Sequence, residues 1–379
     1  MAEFVFTAEQ AALRSAVRKF SAENFGEEAV RGLMESDPPF DARVWARLGA
    51  ELGVLGLAVP ESDGGAGGTL VDQAIAVEEL GAVLACGPLF GTVYLAIPAL
   101  VAAPPSDVRT ELLGELIEGR RTAAFAVGER AGAFDASAVT VTATGSTLSG
   151  TLQRVVDAGA ADILLVAARG SDGIGLYAVE ASQAQRTALV TLDLTRPQAR
   201  VQLVEAPGRL IAGPQDAPRV ITQALQVGSV LLAAEQVGAA QHLLDLAVEY
   251  AKSRLQFGRQ IGSFQAVKHK LADLLVDTEH ARSTAYHAAW ALGDGSDDPA
   301  LAAAMAQAVG SAALSHVAAD AIQVLGGIGF TWEHQAHLYF KRACTDAALL
   351  GNAEQHRDRI AALVLDTASA ERAPAVAAG

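Results

Sequence analysis

The spacing of apolar residues changes twice along the chain, and this change limits the folds that the chain can adopt. In residues 7–119 apolar residues recur every three or four positions, which is typical of amphipathic helices. In residues 122–218 they recur with a period of two, which is typical of short β-strands. The helical spacing returns from Val220 onward. The pattern therefore predicts a helical domain over 1–121, a β domain over 122–218 and a second helical domain over 219–379.

Individual elements can be placed within these regions. Thr7 with Gln10 three residues later predicts a capping box at the start of the first helix. In the β region, β-branched runs bounded by Gly, Asp, Ser and Pro predict strands at 139–143, 148–150, 163–167, 175–179 and 199–203. In the last region the spacing predicts long helices at 230–253, 264–292 and 299–325, a further helix that ends near Asp366, and a frayed Ala-rich tail through 374–379.

The charge balance excludes several classes of partner. The chain of 379 residues has 28 Lys and Arg against 43 Asp and Glu, so its net charge is −15. A surface of this sign repels nucleic-acid phosphates and anionic lipids, and we expect neither nucleic acid nor membrane as a partner. Hydrophobic residues reach 51% and charged residues 19%, which predicts an ordered chain with a large core.

Two cysteines and one long uncharged run bear on the compartment. Cys86 and Cys344 match no metal-ligand spacing, so we expect no metal site and two buried thiols in a reducing compartment. Residues 80–106 are uncharged, but prolines divide them into pieces shorter than the ~20 residues that a bilayer requires. We expect a buried helix hairpin there. No secretion signal is visible, so a cytoplasmic location is expected.

Two segments in the last third carry residue types suited to a dinucleotide. They contain Arg254, Gln256, Phe257, Gln265, Gln323, Gly326 and Gly327. An arginine offers a planar fork of donors for a pyrophosphate, a phenylalanine offers an apolar face, and a glutamine can both donate and accept hydrogen bonds. The alternative is that Arg254 pairs with a surface carboxylate such as Glu249 and that the glutamines are ordinary helix-face residues.

Both segments resemble the most recognisable stretches of the acyl-CoA dehydrogenase family. Further motifs that carry the resemblance are Leu57-Ala-Val-Pro-Glu61 with Gly64 and Gly65, Asp193-Leu-Thr-Arg196, and Phe264-Gln265. The resemblance covers nearly the whole chain. It implies a mostly α protein with an N-terminal helical domain, a β-barrel-like middle domain and a C-terminal four-helix bundle.

The resemblance also implies FAD as the cofactor and an acyl-CoA as the substrate. In the family each flavin lies between two subunits. Arg254, Gln256, Phe257 and Gln265 match positions that reach the flavin of the neighbouring subunit, and Gln323, Gly326 and Gly327 match a second segment that contacts it. We call these seven residues the flavin clamp. In the family reaction a Glu carboxylate removes the α-proton while a hydride leaves the β-carbon for the flavin.

The catalytic carboxylate of the family is missing from both positions where members carry it. By resemblance, the loop position is Gly351 in this chain and the helix position is Gly228. Glu235, Glu354 and Asp346 lie nearby in the sequence, but each is more typical of a solvated or paired residue than of a base. No catalytic residue is therefore assigned.

The β domain lacks features of the same half of the site. Segments 127–130 and 153–157 offer no tryptophan or hydroxyl where the family places them against the flavin. The chain thus resembles the non-catalytic subunit of heteromeric actinobacterial acyl-CoA dehydrogenases. We predict a heterotetramer that desaturates an acyl-CoA, with the Glu supplied by a partner subunit, room for a bulky sterol-derived side chain, and electron-transferring flavoprotein as acceptor. The alternatives are a homo-oligomer with Glu235 or Glu354 as a displaced base, and a structural or CoA-binding subunit without a redox role.

Overall fold

The N-terminal region is helical, as the apolar spacing predicts. The computed structural model describes residues 6–295 and 297–366, so the predicted tail at 374–379 lies outside them. The helices of this region are α1 (Ala8–Asn24), α2 (Glu27–Leu33), α3 (Ala42–Ala50), α4 (Leu70–Gly81), α5 (Leu89–Ala102) and α6 (Asp107–Ile117). Helix α1 begins at the predicted capping box: Gln10 donates its backbone N–H to the Thr7 hydroxyl, and Thr7 donates its own to the Gln10 side chain.

Helix α5 is the central part of the long uncharged run. It is π-helical over Leu89–Ala96 and α-helical over Ile97–Ala102. Every residue of the π-helical part is buried. The helix hairpin expected in this run is therefore wrong: residues 89–102 form one continuous helix, which packs against the long helix Ala217–Ser253.

The middle region is a β domain whose main sheet closes on itself. Its strands are β1 (Ala123–Ala126), β2 (Glu129–Arg130), β3 (Ala133–Phe134), β4 (Val141–Thr144), β5 (Thr147–Val156), β6 (Ile163–Gly170), β7 (Gly173–Glu180), β8 (Ala184–Ala188) and β9 (Gln198–Ala212). The pairing runs β6-β4-β5-β9-β7 and returns to β6, while β1 and β8 pair with β6 and β9. This closure confirms the barrel-like prediction, and β2–β3 form a separate hairpin.

Alternation along β6 divides the side chains between two cores. Leu164 and Val166 belong to a cluster that fills the barrel, whereas Ile163 and Leu165 belong to the large cluster shared with the helices. Successive side chains of a strand point to opposite faces, so one strand serves both cores. The β domain is therefore packed firmly against the helical regions.

The C-terminal region is a helical bundle. It contains α7 (Ala217–Ser253), a small hairpin of β10 (Leu255–Gln256) and β11 (Arg259–Gln260), α8 (Gln265–Asp294), α9 (Pro299–Leu325), α10 (Gly327–Phe330), α11 (Ala336–Asp346) and α12 (Ala353–Ala361). The long helices α7, α8 and α9 pack on one another, and α11 and α12 pack on α9 to complete the bundle. The predicted bundle is confirmed.

Two helices of the described part of the chain, α7 and α9, are long and apolar enough to cross a membrane by length and composition. In the most apolar 18-residue stretch of each helix, 83% of α7 and 61% of α9 is buried inside the protein. Both are thus accounted for as core helices of the bundle.

The prediction of two buried thiols is half right. Cys86 is buried, and burial raises the pKa of its thiol to about 12. Cys344 is exposed, so the prediction is wrong for this residue. The reason is helical geometry: Arg342 and Asp346 of α11 turn inward, and Cys344 between them lies on the outer face.

Candidate functional site

The two segments of the flavin clamp lie at the same end of the bundle. Helix α7 ends at Ser253 and α8 begins at Gln265, while α9 ends at Leu325. Lys270 near the start of α8 contacts Asp320 near the end of α9, with Nζ 2.5 Å from Oδ2. This ion pair places the end of α9, with Gln323, beside the start of α8.

The β10–β11 hairpin presents Phe257 to solvent. Leu255 pairs with Gln260 and Gln256 with Arg259, so Phe257 and Gly258 form a two-residue turn. Both have left-handed backbone, with φ of 51° and 77°, as the tight turns that suit twisted strands require. The Phe257 ring is 90% exposed and lies in an edge-to-face arrangement with the Phe264 ring, with ring centroids 6.1 Å apart.

Arg254 is exposed, and within residues 6–295 and 297–366 its guanidinium has no ion-pair or hydrogen-bond partner. Its backbone is fixed, because its N–H donates to Tyr250 at 2.8 Å and its carbonyl accepts from Ile261 at 2.9 Å. Glu249, the alternative partner, instead contacts Lys252 at 2.6 Å. The surface ion pair considered for Arg254 is therefore absent from the described structure, and its guanidinium is available to an external anion.

The remaining clamp residues are also open. Gln265 and Gln323 are exposed, and neither side chain has a hydrogen-bond partner in the described part of the chain. Gln256 donates its amide only to the neighbouring carbonyl of Leu255, at 2.9 Å. Gly326 has φ 67° and ψ −145°, and a Cβ on Gly326 or Gly327 would meet nothing within 4 Å.

These features fit the pyrophosphate, ribose and flavin surfaces of FAD. A free fork of donors, two free amides, an exposed ring and open backbone lie at one end of the bundle. In the described structure the side chains of Arg254, Gln265 and Gln323 form no hydrogen bonds or ion pairs within the chain. The sequence prediction of a clamp is consistent with this geometry, although the individual contacts remain predictions.

Gly351, the expected loop position of the base, is closed by the β2–β3 hairpin. It has φ +94°, and a Cβ there would lie 2.6 Å from Cα of Ala131 and 3.1 Å from Nε2 of His356. The β2–β3 turn packs just as closely against this loop, because a Cβ on Gly132 of the turn would lie 2.6 Å from the carbonyl oxygen of Leu350. A glutamate at 351 would therefore collide with the hairpin.

Gly228, the alternative position, is closed as well. A Cβ on Gly228 would lie 2.5 Å from Cδ2 of Leu95 and 3.4 Å from Cδ1 of Leu350. The two glycines do not leave empty space, since neighbouring groups take it. The expectation that a vacated half-site makes room for a large acyl chain stays a prediction.

Glu235 is a paired ion rather than a displaced base. It accepts hydrogen bonds from Arg196, Arg342 and the hydroxyl of Tyr94, the last at 2.6 Å. Burial alone would raise the pKa of Glu235, but the two guanidinium groups lower it to about 2. A carboxylate with so low a pKa is a poor proton acceptor.

The motif Asp193-Leu-Thr-Arg196 anchors the β domain to α11. Arg342 donates to Asp193 at 2.7 Å and to the hydroxyl of Thr195 at 2.6 Å. Asp346 completes the cluster with an oxygen 3.6 Å from Arg196, and burial raises its pKa to about 8. We call Asp193, Thr195, Arg196, Glu235, Arg342 and Asp346 the buried charge network.

The role of the Asp193 motif in the buried charge network and the burial of His356 were not predicted from the sequence. His356 is fully buried, with Nε2 2.7 Å from the carbonyl of Leu350. Burial lowers its pKa, so the ring is neutral. Glu354, the other candidate base, is exposed in the first turn of α12 and lacks the desolvated setting that the family reaction requires. The sequence signal that could have indicated a buried residue here is His356 itself, which follows Gly351 by five residues at the start of α12.

Comparisons with known proteins agree with this architecture. Residues 7–120 match the family described as acyl-CoA dehydrogenase, N-terminal domain, and residues 218–365 match acyl-CoA dehydrogenase, C-terminal domain. Acyl-CoA dehydrogenase IpdE2 of Mycobacterium tuberculosis is 39% identical over 90% of this chain and 93% of the relative. IpdE2 of Mycolicibacterium smegmatis is 37% identical over 94% of this chain and 99% of the relative.

Among solved structures, the ChsE4–ChsE5 complex from Mycobacterium tuberculosis contains a chain that matches with a TM-score of 0.86 and 29% identity, over 96% of this chain and 99% of that one. The Tcur3481–Tcur3483 steroid ACAD variant matches with a TM-score of 0.84 and 29% identity, over 95% and 99%. The fold, the domain order and the sequence identity all lead to one family. The chain belongs to the acyl-CoA dehydrogenase family of FAD-dependent oxidoreductases.

Proposed function

We propose that the chain is the base-lacking subunit of a heteromeric acyl-CoA dehydrogenase that desaturates an acyl-CoA between its α- and β-carbons. It holds FAD through the flavin clamp, in a site shared with a second acyl-CoA dehydrogenase-like subunit. The partner supplies the catalytic Glu and the β-domain face of the flavin. When bound, FAD supplies the hydride acceptor of the reaction.

The closed pocket at Gly351 is the observation that carries this proposal. A chain that performed the reaction alone would need a carboxylate close to the α-carbon, and the two family positions are glycines blocked by Ala131 and Leu95. Glu235 is held as an ion by Arg196 and Arg342. The chain's own half therefore offers no base, whereas its clamp is intact.

The role of the clamp follows from its exposure. Arg254 can hold a phosphate pair in bidentate fashion, Gln265 and Gln323 can bond to ribose or adenine edges, and Phe257 can cover an aromatic ring. Water would compete for each of these contacts in an isolated subunit. A partner that covers this end of the bundle would exclude that water and strengthen them.

Exposed apolar residues flank the clamp and support a partner at this end. Phe330 is 81% exposed, Leu255 63% and Ile328 42%. Clusters of large exposed apolar side chains are typical of protein interfaces. A second subunit with a complementary face would bury them together with FAD.

The substrate and the electron acceptor follow from the relatives rather than from the clamp. One matching structure is named as a steroid ACAD and another as a ChsE4–ChsE5 complex. We infer that the heteromer acts on an acyl-CoA with a bulky or sterol-derived acyl group, accommodated in the partner's half of the assembly. Electron-transferring flavoprotein is the inferred acceptor, because one relative is named as subunit CarC of a caffeyl-CoA reductase-Etf complex.

Co-expression tests the proposal directly. The chain is produced alone and together with a candidate acyl-CoA dehydrogenase-like partner chain from the same organism. Mass, flavin absorbance and turnover of an acyl-CoA with an artificial acceptor are then measured. We expect a complex with one FAD for each pair of subunits, activity only in the complex, and loss of activity when the partner's Glu is replaced by Gln. Turnover by this chain alone at the rate of the complex would rule out the heteromer. In that case Glu354→Gln would test the displaced base.

A colourless complex that takes up no FAD would instead favour a structural or CoA-binding role. The same preparation therefore separates the alternatives. Binding of the acyl-CoA without flavin, measured by calorimetry, would identify that case.

A further inference from the structure

A cavity of about 790 Å³ lies between the N-terminal helices and the bundle. Val93, Ile97 and Val101 of α5 form one wall, and Gln226, Val227 and Leu231 of α7 form another. The start of α4 and the end of α8 close its sides. Its volume is within the range of small-molecule pockets, roughly 300–1,000 Å³.

This cavity is separate from the flavin clamp. From Leu231 to Arg254 along α7 there are 23 residues by their numbers, which correspond to roughly 35 Å of helix. It is also separate from the buried charge network, because α5 stands between them. Tyr94 of α5 faces Glu235 and Leu95 faces Gly228, whereas Val93 and Ile97 face the cavity.

The lining excludes most anionic ligands. Among the described residues that line the cavity there is no lysine, arginine or histidine, and the ionisable side chain present is Asp294. The chain as a whole carries a net charge of −15. A CoA thioester, a nucleotide or a fatty-acid anion would be repelled and would find no cation to pair with.

One polar group on the cavity wall is uncommitted. The amide of Gln226 is half-buried and has no side-chain hydrogen bond within the described residues. The wall opposite it belongs to the π-helical part of α5 and its α-helical continuation. Segments of π-helix occur frequently at functional sites, because the extra residue in the turn alters which side chains face a neighbour.

We propose that this cavity binds a neutral, mainly apolar small molecule whose hydroxyl or carbonyl group meets Gln226. The apolar walls supply the affinity through burial of hydrocarbon. The amide orients the polar end. This site goes beyond the desaturation function and does not depend on FAD or on the partner subunit.

Binding is measured on the purified full chain with Nile red, a neutral polycyclic dye, and by competition with 1-decanol and decanoate. We expect saturable Nile red fluorescence that 1-decanol displaces, with decanoate at least about tenfold weaker because of its charge. Val227→Trp fills the cavity and should weaken dye binding at least about tenfold. Val204→Trp is the matched control, since Val204 is 63% exposed on β9, and it should bind as the unchanged chain does.

Two further variants keep the test decisive. If Val227→Trp melts early, Val101→Phe at the half-buried cavity wall replaces it. Gln226→Leu should weaken 1-decanol by about 2–10-fold, the worth of one neutral hydrogen bond. Unchanged dye binding in a folded cavity-filling variant, or equal binding of decanoate and 1-decanol, would overturn the assignment. Unchanged 1-decanol binding in Gln226→Leu would also overturn it, since Gln226 is its polar contact.

Discussion

The flavin clamp and the buried charge network differ in how their polar groups are satisfied. The clamp leaves the side chains of Arg254, Gln265 and Gln323 exposed and without partners in the described part of the chain. In the buried charge network the charged groups are buried and most are bonded to one another, as Glu235 is to Arg342, although the two carboxylate oxygens of Asp346 accept no hydrogen bond among the described residues. A buried charge is costly unless it is paired, whereas an exposed one is satisfied by water until a ligand replaces it. The network pairs most of its charges within the chain, whereas the clamp leaves its polar groups to water, as expected of a surface that binds a ligand.

The largest expected effect comes from breaking the buried charge network. Glu235→Ala leaves Arg196 and Arg342 buried beside one another without their shared carboxylate, and we expect a loss of about 3–5 kcal/mol in the free energy of unfolding. Urea unfolding at neutral pH measures it. The matched control is Glu249→Ala, which removes an exposed pair with Lys252 and should leave the midpoint unchanged.

The pH dependence of that difference has a defined sign. The folded pKa of Glu235 is about 2, below its unfolded value near 4.5. Its contribution is therefore fully present above about pH 4.5 and is lost as the pH falls through 2. The gap between the wild type and Glu235→Ala should narrow in acid. A constant gap from pH 7 to pH 3 would show that Glu235 acts through packing rather than charge.

Arg254→Ala should have the next largest effect, and on FAD rather than on folding. It removes a charge-assisted pair worth about 2–3 kcal/mol, or ~30–150-fold in FAD affinity of the heteromer. Arg254→Lys should lose less, because a point charge remains without the fork. Flavin fluorescence during dilution measures the affinity, and Arg120→Ala is the control for a lost surface arginine. In the proposed heteromer FAD bridges the subunits, so the complex should dissociate as flavin is lost.

If Arg254→Ala retains FAD as the wild type does, Arg254 is an ordinary surface residue. The comparison between the two regions would then lose its functional meaning. The melting temperature of the isolated chain should be unaffected by either substitution, because the exposed guanidinium has no ion-pair or hydrogen-bond partner in the described structure.

Gly351→Ala tests how tightly the β2–β3 hairpin packs against the loop that contains Gly351. Both Gly351 and Gly145 have positive φ, 94° and 60°, but a Cβ on Gly145 meets nothing within 4 Å. Alanine at 145 bears only the left-handed backbone cost, whereas alanine at 351 also meets Ala131. We expect Gly351→Ala to lose about 1–3 kcal/mol more than Gly145→Ala in urea unfolding. Equal losses would mean that the β2–β3 turn yields easily.

The sequence predicted the fold well because the apolar period is a local signal. Strand β6 and helix α9 follow directly from it, as does the capping box at Thr7. The closed state of Gly351 could not be predicted, because it depends on Ala131, more than two hundred residues away in the chain. The pairing of Glu235 is hidden for the same reason, since its partners Arg196 and Arg342 come from the β domain and from α11.

The smallest expected effect concerns Gln323 and defines which part of FAD the clamp meets. Gln323→Ala should weaken FAD binding by about 2–10-fold, the range of a single neutral hydrogen bond. Gln183→Ala, an exposed glutamine of the β domain, is the control and should not change the affinity. Gln323→Glu distinguishes the contacts: beside a phosphate the added negative charge should weaken FAD far more than alanine does, whereas beside ribose or adenine the two variants should be similar. If neither variant changes the affinity, the second segment of the clamp does not contact FAD, and only the Arg254 hairpin remains as the donated surface.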